Sequence, residues 1–348
     1  MAPRKRSNEI ASFLIRRISE GQPRLVDEAA MHFGITRQAV GLHLKRLVRS
    51  GVVDAKGKTR ARTYILKEVI LAHFQTRIAG DLAEDMLWRA HVAESVRQFP
   101  QNVVEICQYG FTEMVNNAIF HSEGNLIQAW LVRAGRKLKL LVSDDGVGVF
   151  AKIRAALHLE DERHAILELS KGKLTTDPAR HTGEGIFFTS RMFDEFLILS
   201  GNLFFSHEAL GDDWLIEARA TPTKGTSVQM LISLDSARTT REVFDKYSSS
   251  AGDYSFTRTH VPVSLLRYGA ENLVSRSQAR RLLVRFERFG EVLLDFEGVP
   301  MIGQAFADEI FRVYAREHPE VKVTWIRASP EVEKMIMRAL AAAKENVQ

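Results

Sequence analysis

The segment Phe111-Thr112-Glu113-Met114-Val115-Asn116-Asn117-Ala118-Ile119-Phe120-His121 constrains this chain more than any other. Glu113, Asn117 and His121 recur at every fourth position, so one stripe of a helix over about residues 102–121 carries three polar groups beside apolar ones. Downstream, Asp144-Asp145-Gly146-Val147-Gly148 places a carboxylate in a tight turn, and Gly183-Glu184-Gly185 opens a second helix, Ile186–Met192. Glycines in such turns let the backbone approach a bound group, and the amides at a helix N-terminus hold anions. Each signal alone is weak. In this order they span about one domain length.

The three segments resemble the N, G1 and G2 boxes of the GHKL (Bergerat-fold) ATPases, which include histidine kinases, gyrase, Hsp90, MutL and the anti-sigma-factor kinases. The resemblance covers roughly residues 101–234 and implies ATP and Mg2+ as cofactors. By it, Glu113 would be the general base, Asn117 would hold Mg2+, and Asp144 would accept the adenine amino proton. Gly146 and Gly148 would shape the turn beside the base, and Gly183 and Gly185 would bring amides to phosphate oxygens. His121 would stand near the phosphates or serve the structure. Lys224-Gly225-Thr226 resembles the family's final Gly-Thr box and adds Thr226. Residues 149–182 would form a charged ATP lid, with Lys173, Arg180 and His181 as candidates to touch phosphate. Strands at 126–132, 137–142, 195–200, 203–206, 213–220 and 227–232 would complete a mixed sheet within an α/β sandwich. The chain contains no GxxxxGK[ST] phosphate loop and no dinucleotide fingerprint after a first strand.

Charge divides the chain unevenly. Residues 1–67 hold 15 Lys and Arg against 5 Asp and Glu, a net of +10 in a chain whose total is +5. A basic head on a mildly acidic body suggests that the head alone meets a polyanion. Ile10, Phe13, Leu14 and Ile18 recur at helical spacing, and a short helix spans about Val26–Phe33. Thr36 can cap a third helix from Arg37 to Arg49. Two short β segments, at 52–55 and 63–66, flank the basic turn Lys56-Gly57-Lys58-Thr59-Arg60. This pattern resembles a winged helix-turn-helix of the bacterial repressor type. The resemblance implies double-stranded DNA as partner, with Thr36, Arg37, Gln38, Gly41 and Lys45 facing the major groove. Lys58, Arg60 and Arg62 would lie on phosphates or in the minor groove.

Residues 68–100 read as amphipathic connector helices, with Leu71, Phe74, Ile78, Leu82, Met86 and Leu87 apolar, and as a possible homodimer seam. His91 lacks the acidic, proline-bearing motif that follows a histidine-kinase phosphoacceptor. Residues 236–259 read as a polar linker ending in Ser248-Ser249-Ser250-Ala251-Gly252. Beyond it, a strand at 291–296, a helix at 303–317, a strand at 321–326 and a helix opened by Ser329-Pro330 form a βαβα pattern, which implies parallel pairing. Leu293-Leu294-Asp295-Phe296-Glu297-Gly298-Val299 and Phe306-Ala307-Asp308-Glu309-Ile310 resemble a STAS-like domain of the anti-sigma-factor-antagonist type, here residues 260–348. In that type a kinase phosphorylates a serine at the turn opening the helix. Here the turn is Ile302-Gly303-Gln304-Ala305, without a hydroxyl.

The expected fold is therefore multidomain α/β (α+β): winged helix at 1–67, connector at 68–100, GHKL domain at 101–235, linker and STAS-like domain. A single cysteine, Cys107, excludes a disulfide framework and suits a reducing cytoplasm, and no apolar run reaches membrane-spanning length. Three functions fit: an ATP-responsive transcription regulator; a serine/threonine kinase acting on a separate STAS- or sigma-type partner; and a DNA-binding ATPase of a defence or DNA-processing system.

Overall fold

A computed structural model describes residues 3–19, 24–57, 62–80, 82–174, 183–208, 214–217, 223–248, 255–267 and 271–345. Lys58, Arg60, Arg180, His181 and the segment Ser249-Ser250-Ala251-Gly252 lie outside the described residues.

The head packs α1 (Pro3–Ser19), α2 (Leu25–Phe33) and α3 (Arg37–Arg49) against the hairpin of β1 (Val53–Lys56) and β2 (Thr63–Leu66). Gly34, at φ +60°, ends α2 in the left-handed conformation, and the Thr36 hydroxyl accepts the Ala39 amide at 3.2 Å to start α3. Ile10, Leu14, Val40, Leu44, Leu47 and Val53 close a small core of the head's own.

From β2 the chain enters β3 (Glu68–Arg77) with only Lys67 between them. The expected connector helices are thus replaced in their first third by a strand, antiparallel to β4 (Leu126–Ala134). A register shift between Ile70 and Ala72 interrupts the two-residue alternation of β3, which is why its apolar residues mimic helical spacing. Helical structure follows only in α4 (Glu84–Leu87), a π-helical turn (Trp88–Val92) and α5 (Ala93–Val96), packed beneath α6 (Gln101–His121).

The central sheet runs β3-β4-β5-β9-β6-β7-β8, with β5 (Lys137–Asp144), β6 (Glu195–Gly201), β7 (Leu203–Glu208), β8 (Trp214–Glu217) and β9 (Thr223–Ser233). Every pair is antiparallel, which corrects the expected mixed sheet. The helices α7 (Val149–Leu157), α8 (Glu162–Lys171) and α9 (Gly185–Met192) do connect β5 to β6, and these two strands run the same way. The last strand, β9, inserts between them and pairs antiparallel with both. The stretch read as a charged lid is in large part the helices α7 and α8, and residues 164–171 of α8 are all buried.

The expected linker also folds. Thr239 and Glu242 form a reciprocal cap on α10 (Thr240–Tyr247), whose Val243 and Tyr247 are buried. The C-terminal sheet begins earlier than expected, with β10 (Arg258–Pro262) parallel to β11 (Glu291–Asp295), itself parallel to β12 (Lys322–Ile326). Around it lie α11 (Arg276–Leu283), α12 (Gln304–Asp308) with its π-helical extension Glu309–Tyr314, α13 (Ala315–Glu317) and α14 (Pro330–Glu345). The parallel pairing expected of the βαβα pattern is observed. One continuous buried cluster runs from Phe74 through the central sheet to Ile336 and Ala339 of α14. The molecule is mixed α/β with two separate cores, and no helix among the described residues is long and apolar enough to cross a membrane.

Candidate functional site

Between α6, the β5 end and the start of α9 lies a cavity of about 300 Å³. Its apolar wall comes from Met114, Val142, Ile153, Leu169, Ile198 and Val228, contributed by six different elements. Into it converge Glu113 and Asn117 of α6, Asp144 at the end of β5, Gly148, Gly183, Gly185 and Thr226. An apolar slot of this size with a few converging polar groups is the usual form of a small-molecule site.

Asp144 is fixed by two backbone donors, Gly146 N at 2.9 Å and Thr226 N at 3.2 Å, both on Oδ1. Burial raises its pKa from the ordinary carboxylate value, opposed by these two amides, while neighbouring Asp145 adds to the rise. Asp145 turns the other way: its Oδ1 accepts the amides of Asn125 and Leu126 at 2.6 and 2.9 Å, which lowers its pKa. The adjacent carboxylates are thereby separated into one that faces the cavity and one that ties the β4 turn.

Glu113 reaches the mouth of α9. A Cβ on Gly185 would fall inside its carboxylate, so the Glu113 side chain as placed lies directly against the backbone at the start of α9. Burial raises the pKa of Glu113, and the charges of Glu84 and Glu184 raise it further. One turn along α6, the buried side-chain nitrogen of Asn117 has no hydrogen-bond partner among the described residues. An amide so placed has bonding capacity directed at something other than the fold.

Two of the residues expected at this site lie elsewhere. Gly146 does not line the cavity; a Cβ there would strike the backbone of Ser122, so its role is to let the turn pass under the end of α6. Lys173 turns away: its Nζ donates to Arg288 O at 2.8 Å and lies over the rings of Phe256 and Phe289 at 5.6 and 5.0 Å. The cation that does border the cavity is Lys152 of α7, absent from the sequence reading. Its Nζ donates to His121 O at 2.7 Å and to Glu123 Oε1 at 2.8 Å. Its position eight residues after Asp144, one helical turn into α7, was the available signal. His121 also borders the cavity.

On the head, Thr36, Arg37, Gln38 and Lys45 are exposed at the start and along the outer face of α3. The Thr36 hydroxyl is engaged in capping, and Arg37 Nε pairs with Asp27 at 3.0 Å in an exposed ion pair that costs little to exchange. Gly41 is half-buried, and a Cβ there would meet open space. Arg62 is exposed, with its guanidinium 5.9 Å from the Tyr64 ring.

Residues 278–333 match the model of the STAS-like domain of unknown function DUF4325. The matched segment spans most of α11 through the first residues of α14, including the parallel strands β11 and β12. No curated protein matches the chain.

Proposed function

We propose that the chain is an ATP-binding, DNA-binding regulator, in which a GHKL-type nucleotide site and the STAS-like domain control a winged-helix head. The observation that carries this reading is the meeting of Asp144, Asn117 and Glu113 in one apolar-walled cavity at the glycine-opened start of α9. The residues present fit the group. Asp144 keeps Oδ2 for an exocyclic amine, because both backbone donors fall on Oδ1. The Asn117 side-chain nitrogen is buried without a partner among the described residues, and rotation of that amide would turn its oxygen toward a cation. Mg-ATP, when bound, supplies affinity that can differ between two arrangements of the protein and a phosphoryl group open to transfer. Asp144 would select adenine, Asn117 would hold the metal, and the backbone at Gly183 and Gly185 would approach the phosphates.

The head reading is supported by the capped α3, the β1–β2 hairpin and the net charge of +10 over residues 1–67. Its link to the nucleotide site is the direct passage from β2 to β3, with Lys67 alone between the hairpin and the edge of the central sheet. A nucleotide that favours one arrangement of that sheet shifts the head by its difference in affinity for the two states, and by no more.

Calorimetric titration with Mg-ATP and Mg-GTP, on the wild type and Asp144→Asn, tests the site. ATP should bind more tightly than GTP, and Asp144→Asn should weaken ATP by about 10- to 100-fold, the worth of a hydrogen bond to a charged group. Equal affinities for the two nucleotides would sink the reading. Duplex binding with and without Mg-ATP tests the regulator, and it should weaken steeply with salt as phosphate contacts release counterions.

One observation favours a second reading, phosphoryl transfer with Glu113 as base. Its burial and its two acidic neighbours raise its basicity, the direction a general base needs. The acceptor would be a separate STAS- or sigma-type partner, since the turn at 302–305 holds no hydroxyl. Glu113→Gln should then abolish turnover while ATP still binds.

A further inference from the structure

The wall of the cavity formed by Leu169, Leu174 and Gly183 is held from outside the central domain. At the end of α8, Lys171 is fully buried. Its Nζ donates to Glu168 Oε1 at 2.5 Å and, across the domain boundary, to Val284 O at 2.9 Å. Glu168 is in turn gripped by Arg285, whose Nη1 donates to Oε2 at 2.9 Å and whose Nη2 donates to Gly172 O. Three charged side chains, each at least 94% buried, thus close a network between α8 and the segment that follows α11. Thr259 of β10 donates its hydroxyl to Lys171 O at 2.7 Å. Lys173 and Arg288 exchange side-chain to backbone bonds at 2.8 and 3.1 Å. Leu174 N then donates to Gly183 O at 2.9 Å, so whatever fixes residues 171–174 also fixes the first glycine of the second glycine turn. The helix after that turn is held from the same side, by Phe256 against Phe187 and Phe188 at 4.4 and 5.0 Å between ring centres.

We propose that the STAS-like domain positions the α8–Gly183 wall of the cavity through Arg285, Arg288 and Thr259, so that its state sets nucleotide affinity. The inference rests on the nucleotide reading above. Breaking one partner of a buried ionic network leaves an uncompensated charge, so a disturbance on the C-terminal side is costly to this wall. Burial lowers the pKa of Lys171 to about 8, and Glu168 opposes that fall. Arg285 and Arg288 touch the wall and not the cavity, and are therefore positioning residues.

The test uses the full chain with Mg-ATP as probe. The rim variant Thr259→Val with Arg288→Ala spares the buried Arg285 and Glu168, and Lys334→Ala, exposed on α14, serves as control. ATP affinity should fall about tenfold in the rim variant, within the usual range of coupling between sites, and stay at the wild-type value in the control. Amide hydrogen exchange over residues 162–174 should speed up in the same variant even without nucleotide. Coupling is reciprocal, so Mg-ATP should slow exchange over residues 281–289 of the wild type. Unchanged ATP affinity in the rim variant, beside a wild type that binds, overturns the inference and leaves the nucleotide site standing. A wild type that binds no ATP overturns the nucleotide reading instead. Exchange over 162–174 then decides alone whether the C-terminal domain holds this wall, and an unchanged rate rejects it.

Discussion

The two ends of this chain attach to its middle in opposite ways. The N-terminal head keeps a core of its own, built from Leu14, Val40, Leu44 and Val53, and joins the body through a strand-to-strand step at Lys67. The C-terminal STAS-like domain shares one continuous core with the central domain and adds a buried ionic network to it. The first arrangement leaves the head's buried residues to be covered by the head itself. The second leaves the C-terminal domain unable to move without disturbing residues that wall the cavity. The order of elements presents both ends as modules; packing gives a separate core to the head alone.

Truncation gives the largest effect. A fragment of residues 1–66 should melt cooperatively, because its buried residues are all its own. A fragment of residues 68–248 should not, since Phe187 would lose the Phe256 ring that covers it and the buried Lys171 would lose its partners beyond the cut. Circular dichroism melts of both fragments decide it. A cooperative 68–248 fragment would break the comparison.

Next in size are core truncations. Phe256 is 3% exposed and meets Phe187, Phe188, Tyr247 and Phe289, rings from both domains. Phe256→Ala should cost about 3–5 kcal/mol and lower one transition shared by the central and C-terminal domains, leaving the head's unchanged. Leu44→Ala, at a fully buried site in the head, should cost about 2–5 kcal/mol in the head's transition alone. Calorimetry of the full chain separates the two.

How much of this was legible follows from the range of each signal. Glu113, Asn117 and Asp144 stood out because their spacing is local to one helix and one turn, and the structure brings them to one cavity. The parallel C-terminal strands were legible from the order of elements, since antiparallel pairing there would need different connections. Lys173 was misjudged because its partners, Arg288 and the Phe256 and Phe289 rings, lie far along the chain. The same distance hid α8, which fell within the stretch read as a charged lid: Glu168 and Lys171 are buried because Arg285 is brought beside them. The strand β3 was misread because its bulge at Ile70–Ala72 breaks the alternation that marks a strand.

A smaller effect reports on the strain within the body. Glu113 is held at a raised pKa by burial and by Glu84 and Glu184. The native state therefore holds a proton on this carboxyl in a pH window where the unfolded chain has released it, and stability falls as pH rises through that window. Glu113→Gln removes the charge, so it should raise the body's melting temperature at pH 7, with the gain shrinking as pH approaches 4. The head's transition should stay fixed at both. An equal gain at pH 4 would mean that charge is not the cause.

The smallest effect probes the seam between head and body. Gly135, at φ +62° in the β4–β5 turn, is approached by the head: a Cβ there would lie 3.2 Å from Leu66 and 3.5 Å from Ile15. Gly135→Ala should cost about 1 kcal/mol through the left-handed backbone alone. Its new methyl would also press on Leu66, at the end of the hairpin. If the head is a pivoting module, it yields: the body's transition drops by a few degrees and the head's does not. A matching drop in the head's transition would show that the turn and the hairpin pack as one unit, and that the head is as firmly built into the body as the STAS-like domain.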